Sequence, residues 1–99
     1  MEAALTHEEF SQNANSTFVV QLDEQNDVAL ELTEISDLKV STRQEEFAIT
    51  FRGPLDKFLE QGTRSLNHER MGQFDLFLVP IKQDAQAFYY EAVFNRVRE

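Results

Sequence analysis

Apolar residues recur at every second position through most of this chain, and the period changes to a helical one at the N-terminus and again near residue 55. Period two marks a strand with one face packed inward and the other wet. It predicts strands at residues 17–22, where Phe18, Val20 and Leu22 alternate with Thr17, Val19 and Gln21, and at 28–33, where Val28, Leu30 and Leu32 do the same. Further strands follow at 46–52 (Phe47, Ile49 and Phe51), at 63–68 around Leu66, at 73–80 and at 89–97. Turn-forming residues separate them: DEQND at 23–27, Gly53-Pro54, the tight connection 69–72 and a polar hairpin loop at 82–87. Between residues 36 and 44 the apolar positions are irregular, which predicts either a wide loop or an edge strand continuing past a bulge.

The run 73–80, QFDLFLVP, stands out because both of its faces are apolar. Phe74, Leu76 and Leu78 fall on one side, Phe77 and Val79 on the other, which predicts a central strand buried on both faces between the last strand and a helical cover.

Two stretches read as helical. Thr6 is placed to cap a short helix by accepting from the N–H of Glu9, with Glu9 reaching back and Leu5 stapling onto Phe10. That helix should end within SQNANS at 11–16 and plug an open end of the sheet with Leu5 and Phe10. Leu55, Phe58 and Leu59 have helical spacing, which predicts one short helical turn over the mouth of the fold, stopped by Gly62. The whole is an all-β, mainly antiparallel single domain spanning residues 1–99, with 1–12 as a helical segment packed on it. A small six-stranded barrel or a two-layer β-sandwich would bury these faces; closure removes exposed edges and favours the barrel.

Composition narrows the chemistry. Nine Phe residues in 99 supply much of the core, and the absence of Cys removes disulfides, thiolate nucleophiles and Cys-ligated metals. The net charge of −9 opposes nucleic-acid binding, which draws its affinity from Lys and Arg. No segment is long and apolar enough for a membrane span, and the acidic start MEAALTHEEF is unlike a secretory signal, so the expected location is cytoplasmic. Residues 1–50 carry eleven acidic side chains against Lys39 and Arg43, whereas residues 51–99 balance. That asymmetry suits either plain solubility or a docking surface for a basic partner.

Candidate chemistry is sparse. His68 with Glu69 and Arg70 could form an acid–base cluster near a turn, but a His bonding its own loop is the plainer reading, because no nucleophile elbow or phosphate loop accompanies it. Asp23, Glu24 and Asp27 share one turn without the Gly and closing Glu of a calcium loop, so no metal and no cofactor is expected. Glu91 lies mid-strand opposite 73–80, where a cross-strand Arg or Lys could pair with it. Asn95 and Arg96 near the strand end could bind a partner backbone or fasten a loop. His68, Glu91, Asn95 and Arg96 are therefore the interaction or structural candidates; none is expected to be catalytic.

The segments Phe51-Arg52-Gly53-Pro54, Gln61-Gly62-Thr63, Leu66 with His68, the run from Gly72 to Ile81 and the run from Tyr90 to Arg96 resemble an uncharacterised family of bacterial single-domain proteins of about this length, as do Leu5-Thr6 and Phe10 at the start. The sequence departs from that pattern at Arg64, where an aromatic is more usual. The resemblance implies a small all-β protein without an established activity, and it suggests a structural role in phage-tail-like fibres or collars. The function expected from residues and resemblance together is a non-enzymatic protein-interaction or assembly module, with a protein partner and a homo-oligomer as one form of assembly. The alternatives are a small-ligand-binding barrel, disfavoured by the bulky Phe set, and an enzyme of unknown type.

Overall fold

Alternating side chains require an enclosed side, and the chain supplies one by closing its sheet. In the computed structural model, which describes residues 5–97, the elements are α1 (His7–Gln12), β1 (Thr17–Gln21), β2 (Asp27–Ile35), β3 (Lys39–Val40), β4 (Gln44–Gly53), β5 (Gly62–His68), β6 (Gly72–Gln83) and β7 (Phe88–Val97). Residues 1–4 of the expected helical segment lie outside the described residues. The strand order is β2-β1-β5-β6-β7-β4-β3, and β2 also bonds β4. That last pairing joins the ends, so six antiparallel strands form a closed barrel with β3 as a short extra strand on β4.

Closure depends on two long strands that change partners midway. β2 bonds β1 through Asp27–Glu31 and then β4 through Glu31–Ile35, with a bulge between Leu32 and Glu34. β6 bonds β5 as far as Leu78 and then β7 from Val79 onward, with a register shift between Pro80 and Lys82. A bulge bends its strand and increases the twist, which is what a tight barrel needs at a corner. Pro80 fits there: Leu78 is the last β6 residue bonded to β5, so the N–H that proline lacks would have met no partner on that side.

Inside, Phe18, Leu30, Leu32, Ile49, Phe51, Leu66, Leu78 and Tyr90 are fully buried. The N-terminal helix closes one end. Thr6 accepts from the N–H of Glu9 at 3.1 Å, although the returning bond from Glu9 is absent among the described residues. Phe10 is completely buried, with ring centroids 5.3 Å from Phe94, 6.1 Å from Phe74 and 6.3 Å from both Phe18 and Phe47; Leu5 packs beside it. Asn15, at φ 65°, turns the chain from α1 into β1 while its N–H donates to Leu32 O at 2.7 Å. Asn tolerates that left-handed conformation better than most residues.

At the opposite mouth the segment 55–61 is a turn at 55–57 followed by irregular chain, not the expected helical turn. Leu59 explains the difference: its N–H donates to Tyr90 Oη at 2.9 Å, so it is not bonded to the carbonyl of Leu55 as a helix requires. Leu59 is buried and Phe58 rests on Phe88 with centroids 4.8 Å apart, so the loop covers the mouth without helical backbone. Gly53 sits beneath it, where a Cβ would come within 2.8 Å of Leu30 Cδ2 and 3.1 Å of Tyr90 Cε1.

A second correction concerns 73–80. Leu76 and Leu78 are buried, but Phe77 is 53% exposed, because a barrel wall has only one inner face and no helix covers the outside of β6. β6 also runs on to Gln83, taking up the start of the expected 82–87 loop. The irregular 36–44 region resolves into a short connection and the edge strand β3. Leu78→Ala is expected to cost about 2–5 kcal/mol in urea unfolding; a loss below about 1 kcal/mol would mean that this side chain does not help fill the barrel.

Candidate functional site

The candidate residues do not converge. Glu91 and Asn95 are on the outer wall, Arg96 is on the inner face at the end of β7, and His68 is at the turn between β5 and β6. Arg96 holds its guanidinium 5.6 Å from the Phe94 ring centroid and 6.0 Å from that of Phe47. This is a cation–π contact that helps cover the plugged end.

Besides a hollow of about 470 Å³ between Glu31, Arg52 and Gln86, a groove lies on the outer wall of β2, β4 and β7. The rows of the sheet place Glu34, Thr50, Glu91 and Val79 side by side, with Ala48 and Val93 in the next row and Glu46 and Asn95 in the one after. A hollow of about 530 Å³ lies over Thr33, Glu34, Ile35, Ser36, Ala48, Thr50 and Glu91. A second, of about 240 Å³, lies over Ser36, Lys39, Glu46, Phe47, Ala48 and Val93. They share Ser36 and Ala48, so they form one trough whose rim carries Glu34, Glu91 and Glu46, with Lys39 across from Glu46, and whose ground is apolar at Ala48 and Val93. The bulge at Thr33 shapes its upper bank, where Thr33 Oγ1 donates to Thr50 O at 3.3 Å. Glu91 lacks the expected cross-strand cation: its neighbours across the sheet are Thr50 and Val79, and the ion pair among the described residues is Arg52 with Glu31 at 4.0 Å.

His68 fastens the plug. Its Nδ1 accepts from the N–H groups of Arg70 (3.0 Å) and Met71 (3.1 Å), so Nε2 carries the proton and donates to Ser16 Oγ at 2.8 Å. The Ser16 hydroxyl donates to Asn13 O, and the Asn13 side chain in turn donates to Glu9 O and accepts from Arg70 Nε, both at 2.8 Å. The ring lies against Phe18 at 4.3 Å and is 7% exposed. Both nitrogens are thus committed to holding α1 onto the β5–β6 turn. Burial holds the imidazole below its ordinary pKa, the Arg70 charge adds to this, and Glu69 opposes it weakly.

Asp23, proposed from sequence as one of three turn carboxylates, is likewise occupied. It accepts from Asn26 Nδ2 and from the N–H groups of Gln25 and Asn26, and these bonds hold its carboxyl below the usual range. Among the described residues no three His, Asp or Glu side chains gather to hold a metal ion, and no helix is long and apolar enough to cross a membrane.

A family model for a domain of unknown function matches residues 5–94. The chain belongs to the DUF6916 family. No curated protein and no solved structure matches it. The matched span opens at Leu5, just before the helix cap, and closes at Phe94, which packs on Phe10; the unit of this DUF6916 domain therefore includes its plug.

What sequence reasoning missed are long-range partnerships: Ser16 with His68, Asn13 with Arg70 and Tyr90 with Leu59. Nothing local to His68 names Ser16 as its partner, 52 residues away.

The latch predicts a pH dependence. With a folded pKa below the unfolded value of 6.5, neutral His68 contributes its full stability above that value and loses it as pH falls through the folded pKa. The unfolding free-energy difference between wild type and His68→Gln should therefore narrow from about pH 7.5 to about pH 5. A gap unchanged over that range would contradict a buried neutral imidazole.

Proposed function

We propose that this DUF6916 domain is a non-enzymatic docking module, a filled barrel that receives a basic segment of another protein on its outer wall. The observation that carries this reading is the trough over Ser36 and Ala48, where Glu34, Glu91 and Glu46 outnumber the Lys39 cation, on a chain of net charge −9. Such a rim steers a cationic partner and repels nucleic acid, while Val93 and Ala48 offer apolar contact at its centre. The filled interior speaks against a ligand-binding barrel, since Phe10, Phe18, Phe51 and Tyr90 occupy the space a ligand would need. The commitment of both His68 nitrogens to backbone and Ser16 speaks against an acid–base role for it. An assembly role in a phage-tail-like fibre or collar, and a cytoplasmic location, are the finer form of this proposal and rest on the resemblance and on composition.

The test is a rim reversal. Tagged wild-type protein should retain a basic partner from an extract of its own cells at low salt and release it as salt screens the rim. Glu34→Lys combined with Glu91→Lys should weaken that retention at least about tenfold, or about 1.4 kcal/mol, with the circular-dichroism spectrum unchanged. A retained set that is the same for wild type and the reversed variant would contradict the proposal.

A further inference from the structure

Toward one end of the closed barrel, the seam between β6 and β7 carries no ladder. β7 pairs with β4 along its whole length, but its bonds to β6 stop at Glu91 with Val79. Beyond that point β6 follows β5 instead, and on the inner side Phe10 lies between Phe74 and Phe94.

The direction of the free main-chain groups follows from β4. Ala48 O accepts from the N–H of Ser36 at 2.8 Å, and Ala48 N–H donates to Ser36 Oγ at 2.8 Å. Gln44 behaves alike, with its carbonyl accepting from Ser41 N–H at 2.8 Å and its own N–H donating to Ser41 Oγ at 3.2 Å. Both residues turn their polar backbone away from β7, so Ala48–Val93 and Gln44–Val97 are the non-bonded pairs of that ladder. By alternation, the N–H and C=O of Val93, Asn95 and Val97 point away from β4, on the side where the registered pairs with β6 have ended at Glu91.

The usual guards of an edge are missing from it. There is no proline, bulge or outward charge between residues 92 and 97, Val93 is 62% and Val97 76% exposed, and Arg96 is turned inward over Phe47 and Phe94. This stretch is also free of acidic residues in a strongly acidic chain, so two copies can approach here without opposing carboxylates in the ladder.

We infer that two copies of the chain pair antiparallel through β7, about a two-fold axis at Asn95. This register places Asn95 opposite Asn95 of the second copy and Val93 opposite Val97, so all three outward-facing positions bond in the same ladder. Val93 and Val97 form an apolar cross-strand pair on the outer face, and Phe94 meets Arg96 on the inner one. A shift of the axis toward Val93 sets the ladder against Glu91, whose groups are already bonded to β6, and a shift toward Val97 leaves Val93 unpaired. The pairing goes beyond the docking reading of the outer trough and does not depend on it: Val93 borders both, but the charged rim residues Glu34 and Glu91 take no part in the ladder.

Sedimentation velocity and light scattering on the full chain test this. The wild type is expected at twice its 11.5 kDa chain mass at high micromolar concentration. Asn95→Pro removes an N–H that faces out of the edge and spares the β4 ladder, so it should give a folded monomer. The pair Val93→Lys and Val97→Lys sets lysines opposite one another and should also give a monomer, whereas Val93→Lys with Val97→Glu should restore the dimer. A wild type that stays monomeric up to about 1 mM, a concentration at which even a weak dimer is half formed, overturns the inference. So does a dimer that survives both the proline and the double-lysine variants. Loss of partner retention on rim reversal would be unaffected by either result.

Discussion

Everything in this barrel depends on Phe10 filling the end that its strands leave open. β6 and β7 part company beyond Val79 and Glu91, and the gap is closed from within by one ring touching Phe18, Phe47, Phe74 and Phe94. Burying a Phe side chain is worth about 1.5–3 kcal/mol, and well-placed aromatic pairs add about 0.5–1.5 kcal/mol. A six-residue helix could not persist alone on such terms, because isolated helices of that length are unstable in water. The helix exists because the barrel needs its phenylalanine, and the His68–Ser16–Asn13 relay fixes it in place.

The same geometry determines the surface. Two strands that switch partners leave a bulge at Thr33, which shapes the trough, and a stretch of β7 from Val93 to Val97 with no registered partner on its β6 side. Both features are by-products of closing six strands into so small a ring, and both lie outside the packed interior. The docking role we propose would place its chemistry on that wall and leave the packed interior to hold it rigid.

The strands were legible because one face of each is buried: Phe18/Val20, Val28/Leu30/Leu32 and Phe47/Ile49/Phe51 all alternate as their burial does. The cap on α1 was legible from Thr6 and Glu9 because capping is local. Phe77 misled because an apolar outer face looks the same in sequence whether something covers it or not. Leu55, Phe58 and Leu59 misled because helical spacing says nothing of Tyr90, whose hydroxyl bonds a backbone group that a helix would use. The latch was invisible because Ser16 and His68 are 52 residues apart. The trough and the open edge could not be read at all, since both follow from where β2 and β6 change partners, and closure of the ring sets those points.

Truncation of the plug tests the central claim most directly. Unfolding of Phe10→Ala in urea, with amide hydrogen exchange followed at Arg70 and Met71, should show a loss of about 3–5 kcal/mol and faster exchange at both amides, because the latch has nothing left to hold. A loss below about 1 kcal/mol with protection at Arg70 and Met71 intact would contradict the view that the barrel is closed by its N-terminal phenylalanine.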